Sequence, residues 1–377
     1  MSSTQIFEQI DEKTVMSSTQ IFEQIDEKIV ELETQYRNHL GMSGIGDDDE
    51  RKLWLGFRHC LNSSFEGRML RLFDLGNRIE DQVVDDIRRT GIIAVASEDE
   101  NGKQFSASLL GGHFSGSCDG ILKGVLPEPN EERIVLLEVK SANDKRFREL
   151  QKERDYGGWS ETYRWQIHCY MGAMSLTHAL VVVVNKNNSE IYSEIIEFDP
   201  VIWEKAQEKA KKIICSDAPP PPSRSESDWR IKNESSVYQD VYFKRRLPQS
   251  VNCRNCKNSK PVVESNGAVW YCSRRNKALT DEEQRIGCDD HLWIPALVNA
   301  DYLPDKSNED EVAYRVGIMT IFNVISSKRG EYRYTSCEMR ELSKTKFDLK
   351  MIESMEPVRN EFDGTYVEVK DEATIPF

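Results

Sequence analysis

No stretch of this chain approaches the ~20 consecutive apolar residues that a membrane-spanning helix needs. Its opening, MSSTQIFEQIDEK, has neither a basic n-region nor an apolar h-region, so no secretion signal is expected. A disulfide framework is missing too. Of nine cysteines, five are scattered and four cluster late in the chain. That usage suits a reducing cytoplasm. Basic surplus is also lacking: 50 Lys and Arg stand against 64 Asp and Glu, for a net charge of −14. This weighs against sequence-independent nucleic-acid binding by an evenly positive surface. Local basic patches and bound divalent cations remain ways to reverse the field where it matters. What is present, 38% hydrophobic and 30% charged residues in a chain of 377, reads as a globular protein of two or three domains.

Residues 1–15 recur almost unchanged as 16–30, Thr14 against Ile29 being the one difference. The reading is a duplicated start with Met16 as the working first residue, or else a real helical extension. Ile21, Ile25, Ile29, Leu32, Tyr36 and Leu40 follow helical spacing, and Gly41 ends the run. Residues 1–44 are therefore assigned as an N-terminal helical extension. A helix is expected from about Gly67. Then the period changes: GIIAVAS, KQFSASLL, FSGSCDGIL and RIVLLEVK read as strands of a mostly antiparallel sheet. Helices follow at about 145–156 and 160–176, then the strands HALVVVV and IYSEIIEF. The helix PVIWEKAQEKAKKII comes next, with Pro at its first position. Together these make a mixed α/β core over 45–217. The four prolines 219–222 mark a stiff linker, assigned to 218–250. A cysteine module occupies 251–298. The rest, 299–377, offers a few strands and a helix, with YRVGIMTIFNV and TYVEVK the clearest strands, and no function.

The chemistry gathers around RIVLLEVK. Side chains alternate faces along a strand, so Leu136, Glu138 and Lys140 share one face, Leu137 and Val139 the other. A carboxylate and an ammonium at the end of so apolar a strand point to a site or a pair, because burying an unpartnered charge is costly. Asp119, in Gly116-Ser-Cys-Asp-Gly120, closes the preceding strand and would lie beside Glu138. Two such carboxylates repel unless a cation lies between them, and hard oxygen donors suit Mg²⁺ or Mn²⁺. Glu80, on the helix in Gly76-Asn-Arg-Ile-Glu80, would be a third. Gln166 and Tyr170 are four apart on one helix face, with Tyr163 and Trp159. His168 and His178 read as ordinary side chains.

This ordered set resembles the PD-(D/E)XK nuclease superfamily, whose restriction-endonuclease-like core runs αβββαβ, and most closely the RecB-like phage exonucleases. RKLWLGFR followed by GRMLRLFDLGNRIE is similar to the N-terminal lead of that group. The likeness covers roughly residues 45–295. It implies Glu80, Asp119, Glu138 and the Val139 carbonyl as Mg²⁺ or Mn²⁺ ligands and Lys140 as the catalytic lysine. Gln166 and Tyr170 would contact DNA or steady the site. The implied activity is metal-dependent hydrolysis of DNA, from duplex ends or on single strands, in phage recombination or repair, with a recombination protein as partner. A structure- or site-specific endonuclease and a non-catalytic DNA-binding adaptor are the alternatives. A second Asp-Gly and Glu-x-Lys, at Asp363, Glu368 and Lys370, is too cramped for two strands and reads as a terminal strand.

Cys253-x2-Cys256-x15-Cys272-x15-Cys288 is a four-thiolate pattern that suits tetrahedral zinc. His291 could stand in for Cys288. Some RecB-like nucleases hold an iron–sulfur cluster with one cysteine ahead of the core. Here Glu50 occupies that place and Cys60 is displaced, which favours zinc and leaves the cluster as runner-up. Two basic clusters are candidate DNA contacts. One runs over 141–164, with Tyr156, Trp159 and Tyr163 between its cations. The other is formed by Lys244, Arg245, Arg246, Arg254, Lys257, Arg274 and Arg275.

Overall fold

The computed structural model describes residues 18–32, 37–61, 65–127, 129–130, 132–344, 352–353 and 356. The whole first repeat copy, Met16, and the second Asp-Gly and Glu-x-Lys set near the end lie outside them. Among the described residues no helix is long and apolar enough to cross a membrane.

The first helix, α1 (Ser18–Leu32), carries Ile21 and Ile25 exposed and meets helix α3 (Gly67–Thr90). The helical run expected to reach Leu40 does not do so. Leu40–Gly41 is a short strand, β1, whose Leu40 amide donates to the His113 carbonyl while the side chain enters the core. Helix α2 (Glu50–Phe57) lies between. Asp49 caps it by accepting from the Lys52 amide at 3.0 Å.

Strands β2 (Ala94–Ala96), β3 (Ser106–Leu109), β4 (Phe114–Ser117), β5 (Gly120–Lys123) and β6 (Val135–Ala142) follow. The stretch FSGSCDGIL, expected as one strand, is two. Strand β4 joins a small sheet ordered β1-β4-β3, and β5 joins the main sheet, with Cys118 and Asp119 at the break. After helices α4 (Asp144–Glu153), α5 (Tyr156–Trp159) and α6 (Glu161–Met174), strands β7 (His178–Asn185) and β8 (Ile191–Glu197) complete a five-stranded sheet, β2-β5-β6-β7-β8. Its pairs are antiparallel except β6 with β7, which run parallel because the α4–α6 crossover separates them. Helix α7 (Pro200–Cys215) starts with the expected Pro and is capped by Asp199.

Alternation along β6 divides the core. Leu137 and Val139 pack with Val83 and Val84 of α3, whereas Leu136 packs with Ile167 and Met171 of α6 on the other face. Burying such side chains contributes about 1.5–3 kcal/mol each.

The chain beyond the prolines lies against its own beginning. Arg51 donates to the carbonyls of Pro220 and Tyr242, at 2.7 and 2.6 Å. Arg224 is ion-paired with Asp47, Asp48 and Asp49, which offsets part of the charge of the acidic turn ahead of α2. Helices α8 (Trp229–Lys232) and α9 (Ser236–Tyr242) lead to a three-stranded sheet, β9 (Ser259–Pro261), β10 (Trp270–Cys272) and β11 (Lys277–Leu279), and to helix α10 (Asp281–Arg285). A last sheet of β12 (Asp301–Leu303), β13 (Glu311–Val316), β14 (Met319–Val324) and β15 (Arg333–Tyr334), with helix α11 (Ser336–Ser343), completes the fold. YRVGIMTIFNV is its β13–β14 hairpin.

Trp270 is fully buried between two guanidiniums, Arg58 at 5.0 Å and Arg254 at 4.8 Å, with Phe57 and His113 against its ring. Neither arginine has a carboxylate bonded to it in this cage. Arg58 donates to the carbonyls of Arg254, Ser259 and Ser216, and Arg254 to those of Phe57 and Asn38 and to Gln284. Removing the Trp270 side chain would leave both cations facing a void. Trp270→Ala is expected to cost about 3–5 kcal/mol, read by chemical denaturation.

Burial pushes His59 and His113 down from 6.5 to about 4. The unfolded chain therefore takes up protons first. Stability is fully present above pH 6.5 and is lost as pH falls from there toward about 4. Thermal melts across that window should show the decline, and His113→Gln should make it shallower.

Candidate active site

The break between β4 and β5 puts Asp119 where the main sheet begins. Gly120 faces Leu137 in the β5–β6 register, so Asp119 flanks Glu138. Asp119 Oδ2 accepts the Val139 amide at 2.7 Å. Glu138 is 1% exposed. Its Oε1 accepts from Gln166 Nε2 at 2.6 Å and from the Lys140 ammonium, while its Oε2 is buried with no hydrogen-bond partner. Lys140 also lies over the Tyr163 ring, 5.4 Å from its centre. Gln166 in turn reaches the Tyr170 hydroxyl at 3.4 Å. Helix α6 presents Gln166 and Tyr170 one turn apart because Ser160 caps its start, accepting from the Tyr163 amide. Gly116 of β4 lets Tyr170 come close: a Cβ there would lie 2.7 Å from the Tyr170 ring.

Glu80 projects from α3, the helix on the other face of the sheet, and is half-buried. Its charge is felt at Glu138, and it feels Asp119 and Lys140. The structure thus brings Glu80, Asp119, Glu138, Lys140, Gln166 and Tyr170 to one end of the main sheet, with Val139 between the two strand carboxylates.

Crowding of three carboxylates around one ammonium sets the electrostatics. Burial, then the neighbouring Asp119, pushes Glu138 up to about 8. Burial, again followed by Asp119, pushes Glu80 up to about 7. Burial also raises Asp119, against the opposing pull of Lys140 and the Val139 amide. For Lys140, burial works against the charge and is overcome by Glu138 and Asp119, which hold the ammonium well above its ordinary value. The site carries more negative charge than its lysine can neutralise. Among the described residues no three His, Cys, Asp or Glu side chains already stand in metal-holding geometry. The donor chemistry nonetheless fits a hard cation: carboxylate oxygens from three elements, one of them buried and unbonded.

Tyr156 is a further member of the site. Grouped in sequence with the base-stacking aromatics, it is fully buried, stacked on Tyr163 with ring centres 6.2 Å apart. Its hydroxyl has no hydrogen-bond partner, and the carboxylate of Glu138 and the ammonium of Lys140 dominate its surroundings after burial itself. The Tyr-Gly-Gly-Trp sequence does not reveal this. Only the crossover from β6 to α6 turns the ring inward.

The two basic clusters look different in three dimensions. Trp159 is 7% exposed, like Tyr156 too deep to stack on bases. Arg146, Arg148 and Arg164 are ion-paired with Glu149, with Glu190 and Asp144, and with Glu161 and Asp199. In the second cluster Arg254 is buried, Arg245 pairs with Glu226 and Asp240, and Arg274 pairs with Asp290 and Asp310. Acids thus engage five of the cations in the two clusters, Arg146, Arg148, Arg164, Arg245 and Arg274.

No family model matches this chain, and no curated protein matches it. Among solved structures it is similar to an alkaline exonuclease from Laribacter hongkongensis, with 14% identity and TM-score 0.35 over 50% of this chain and 90% of the other. It is also similar to a phage-related exonuclease from Haemophilus somnus 129PT, with 15% identity and TM-score 0.24 over 36% of this chain and 66% of the other. Likeness at this level carries no argument, and the functional reading stands on the site's own residues.

Two substitutions test the packing of the site. Gly116→Ala should push Tyr170 off Gln166 and cost about 1–3 kcal/mol in a denaturation experiment. Tyr156→Phe deletes a hydroxyl that has no partner, so thermal stability should stay level or rise.

Proposed function

We propose that this chain is a divalent-cation-dependent nuclease that hydrolyses DNA phosphodiester bonds. The observation that carries the reading is the buried Glu138 carboxylate: one oxygen is held by Gln166 and Lys140, and the other is unbonded beside Asp119. A buried anion in that position is expensive unless a cation completes it. Glu80, Asp119 and Glu138, with the Val139 carbonyl, would hold Mg²⁺ or Mn²⁺. When bound, such a cation supplies Lewis-acid polarisation of the phosphate and lowers the pKa of a water.

The remaining roles belong to the chain's own side chains. Lys140 is 18% exposed at its side chain and protonated, so it can hold the attacking water by a hydrogen bond and stabilise charge gathering on the phosphate. Gln166 fixes Glu138 Oε1, and Tyr170 limits the swing of Gln166. The Tyr163 face keeps the ammonium from folding away. No side chain here is placed as a nucleophile. The cysteine nearest the carboxylates, Cys118, is buried and pushed up to about 12, by burial first and then by Glu138 and Asp119. Direct attack by water is the chemistry these groups support.

Attack from DNA ends, in phage recombination or repair, is the finer part of the proposal and follows from the family resemblance. Linear duplex, linear single-stranded and closed circular DNA, each incubated with Mg²⁺, Mn²⁺ or EDTA, test both levels. The expected result is release of nucleotides from linear DNA, none from the circle, and none in EDTA. Linearised circles would move the assignment to an endonuclease, and no cleavage in either metal would overturn the nuclease reading. Lys140→Ala should lower the rate by ~10²–10⁴-fold. Gln166→Ala, which acts through Glu138, should lower it by ~10–100-fold.

A further inference from the structure

Nine cysteines are free in this fold. Three of them, Cys60, Cys118 and Cys169, are buried one by one in the core, and Cys215 and Cys337 are exposed. The other four behave differently. Cys253 and Cys256 bracket a single helical turn, Cys272 ends β10, and Cys288 follows α10, yet all four line one small cleft. The turn is built to present its sulfurs. Asn252 accepts from the amides of Arg254 and Asn255, and the Cys256 amide donates back to the Cys253 carbonyl at 3.2 Å. Burial pushes the Cys256 thiol up to about 11, against hydrogen bonds from the amides of Leu292 and Asn258. Arg275 lines the same cleft, as does the Arg274–Asp290 ion pair.

We propose that Cys253, Cys256, Cys272 and Cys288 bind one zinc ion as four thiolates, a structural site separate from the carboxylate site. The support is local and does not depend on the nuclease reading. Three strands of three residues each form the sheet here. So short a ladder stabilises little, and small units of this kind commonly depend on a metal. Cys-x2-Cys on one turn, with two further sulfurs from separate elements, would give zinc four thiolates without a fifth ligand, once the sulfurs draw together around it, since among the described residues they do not already stand in metal-holding geometry. His291 also lines the cleft, with its Nδ1 buried and without a hydrogen-bond partner. Its Nε2 is engaged by Asn255 at 3.0 Å, and its ring packs edge-on against Trp293 at 4.9 Å. Through Trp270, two residues before Cys272 on β10, the zinc would also brace the Arg58–Arg254 cage that joins this module to helix α2.

The test uses the full chain, purified without oxygen and without added metal, with zinc, iron and acid-labile sulfide measured together. The expected result is one zinc per chain, no iron and no visible absorbance. Cobalt exchanged into the site should then show the charge-transfer and d–d bands of a tetrahedral thiolate complex. Cys272→Ser and Cys288→Ser should lose the metal, whereas His291→Gln and Cys337→Ser should keep it. Should the cysteine variants fail to fold, titration of the native protein with a mercurial reagent replaces them: one zinc should be released as four thiols react beyond the exposed Cys215 and Cys337. Iron with sulfide, absence of metal from the native chain, or retention in Cys288→Ser with loss in His291→Gln would each overturn the proposal.

Discussion

A buried carboxylate on the central strand of the main sheet is the constraint on which the rest of the site depends. Glu138 lies on β6, flanked by β5 and β7, and is out of contact with water. A buried charge cannot be left alone. Gln166 must therefore come down from α6, Lys140 must curl back, and Tyr170 must press close enough to need a glycine opposite it. Each of these demands shapes a neighbouring element. Ser160 starts α6 at the right height, and β4 gives up a side chain at Gly116.

Even so, the demand is not fully met. Three carboxylates share one ammonium, and one oxygen of Glu138 stays unbonded. A fold selected for stability alone would replace such a cluster with apolar side chains, which is often neutral or favourable. Strain of this kind is expected where binding or catalysis is at stake.

A second buried cluster has the opposite character. Arg58 and Arg254 enclose Trp270, and every hydrogen bond they make in the cage goes to a carbonyl or to Gln284. Burial lowers Arg58 to about 10 and Arg254 to about 9. These guanidiniums act as rigid multi-donor struts and leave no charge for a ligand. The cluster joins helix α2 to the cysteine region, and Arg51 and Arg224 add ties between the same early helix and the chain after the prolines.

Local periodicity was enough to read the alternation of β6, the position of Glu138 and Lys140 on one face, the pairing of Gln166 with Tyr170, and the helices starting at Gly67 and Pro200. In each case the pattern repeats within one element, so the information is local. It was not enough where contacts join distant segments. Leu40 keeps helical spacing with Leu32 yet pairs with β4. FSGSCDGIL has no signal for a change of sheet, although that change is what delivers Asp119. Arg148 and Arg164 pair with local helix neighbours, but also with Glu190 and Asp199, which only the fold brings near. What the sequence alone determined was therefore which residue types share a face and where elements stop. Tertiary structure alone decided that Asp119 sits at the break between two sheets, that Glu80 comes from the helix on the opposite face, and that Tyr156 turns inward. Those outcomes depend on the register and packing of segments far apart in the chain, which no local period encodes.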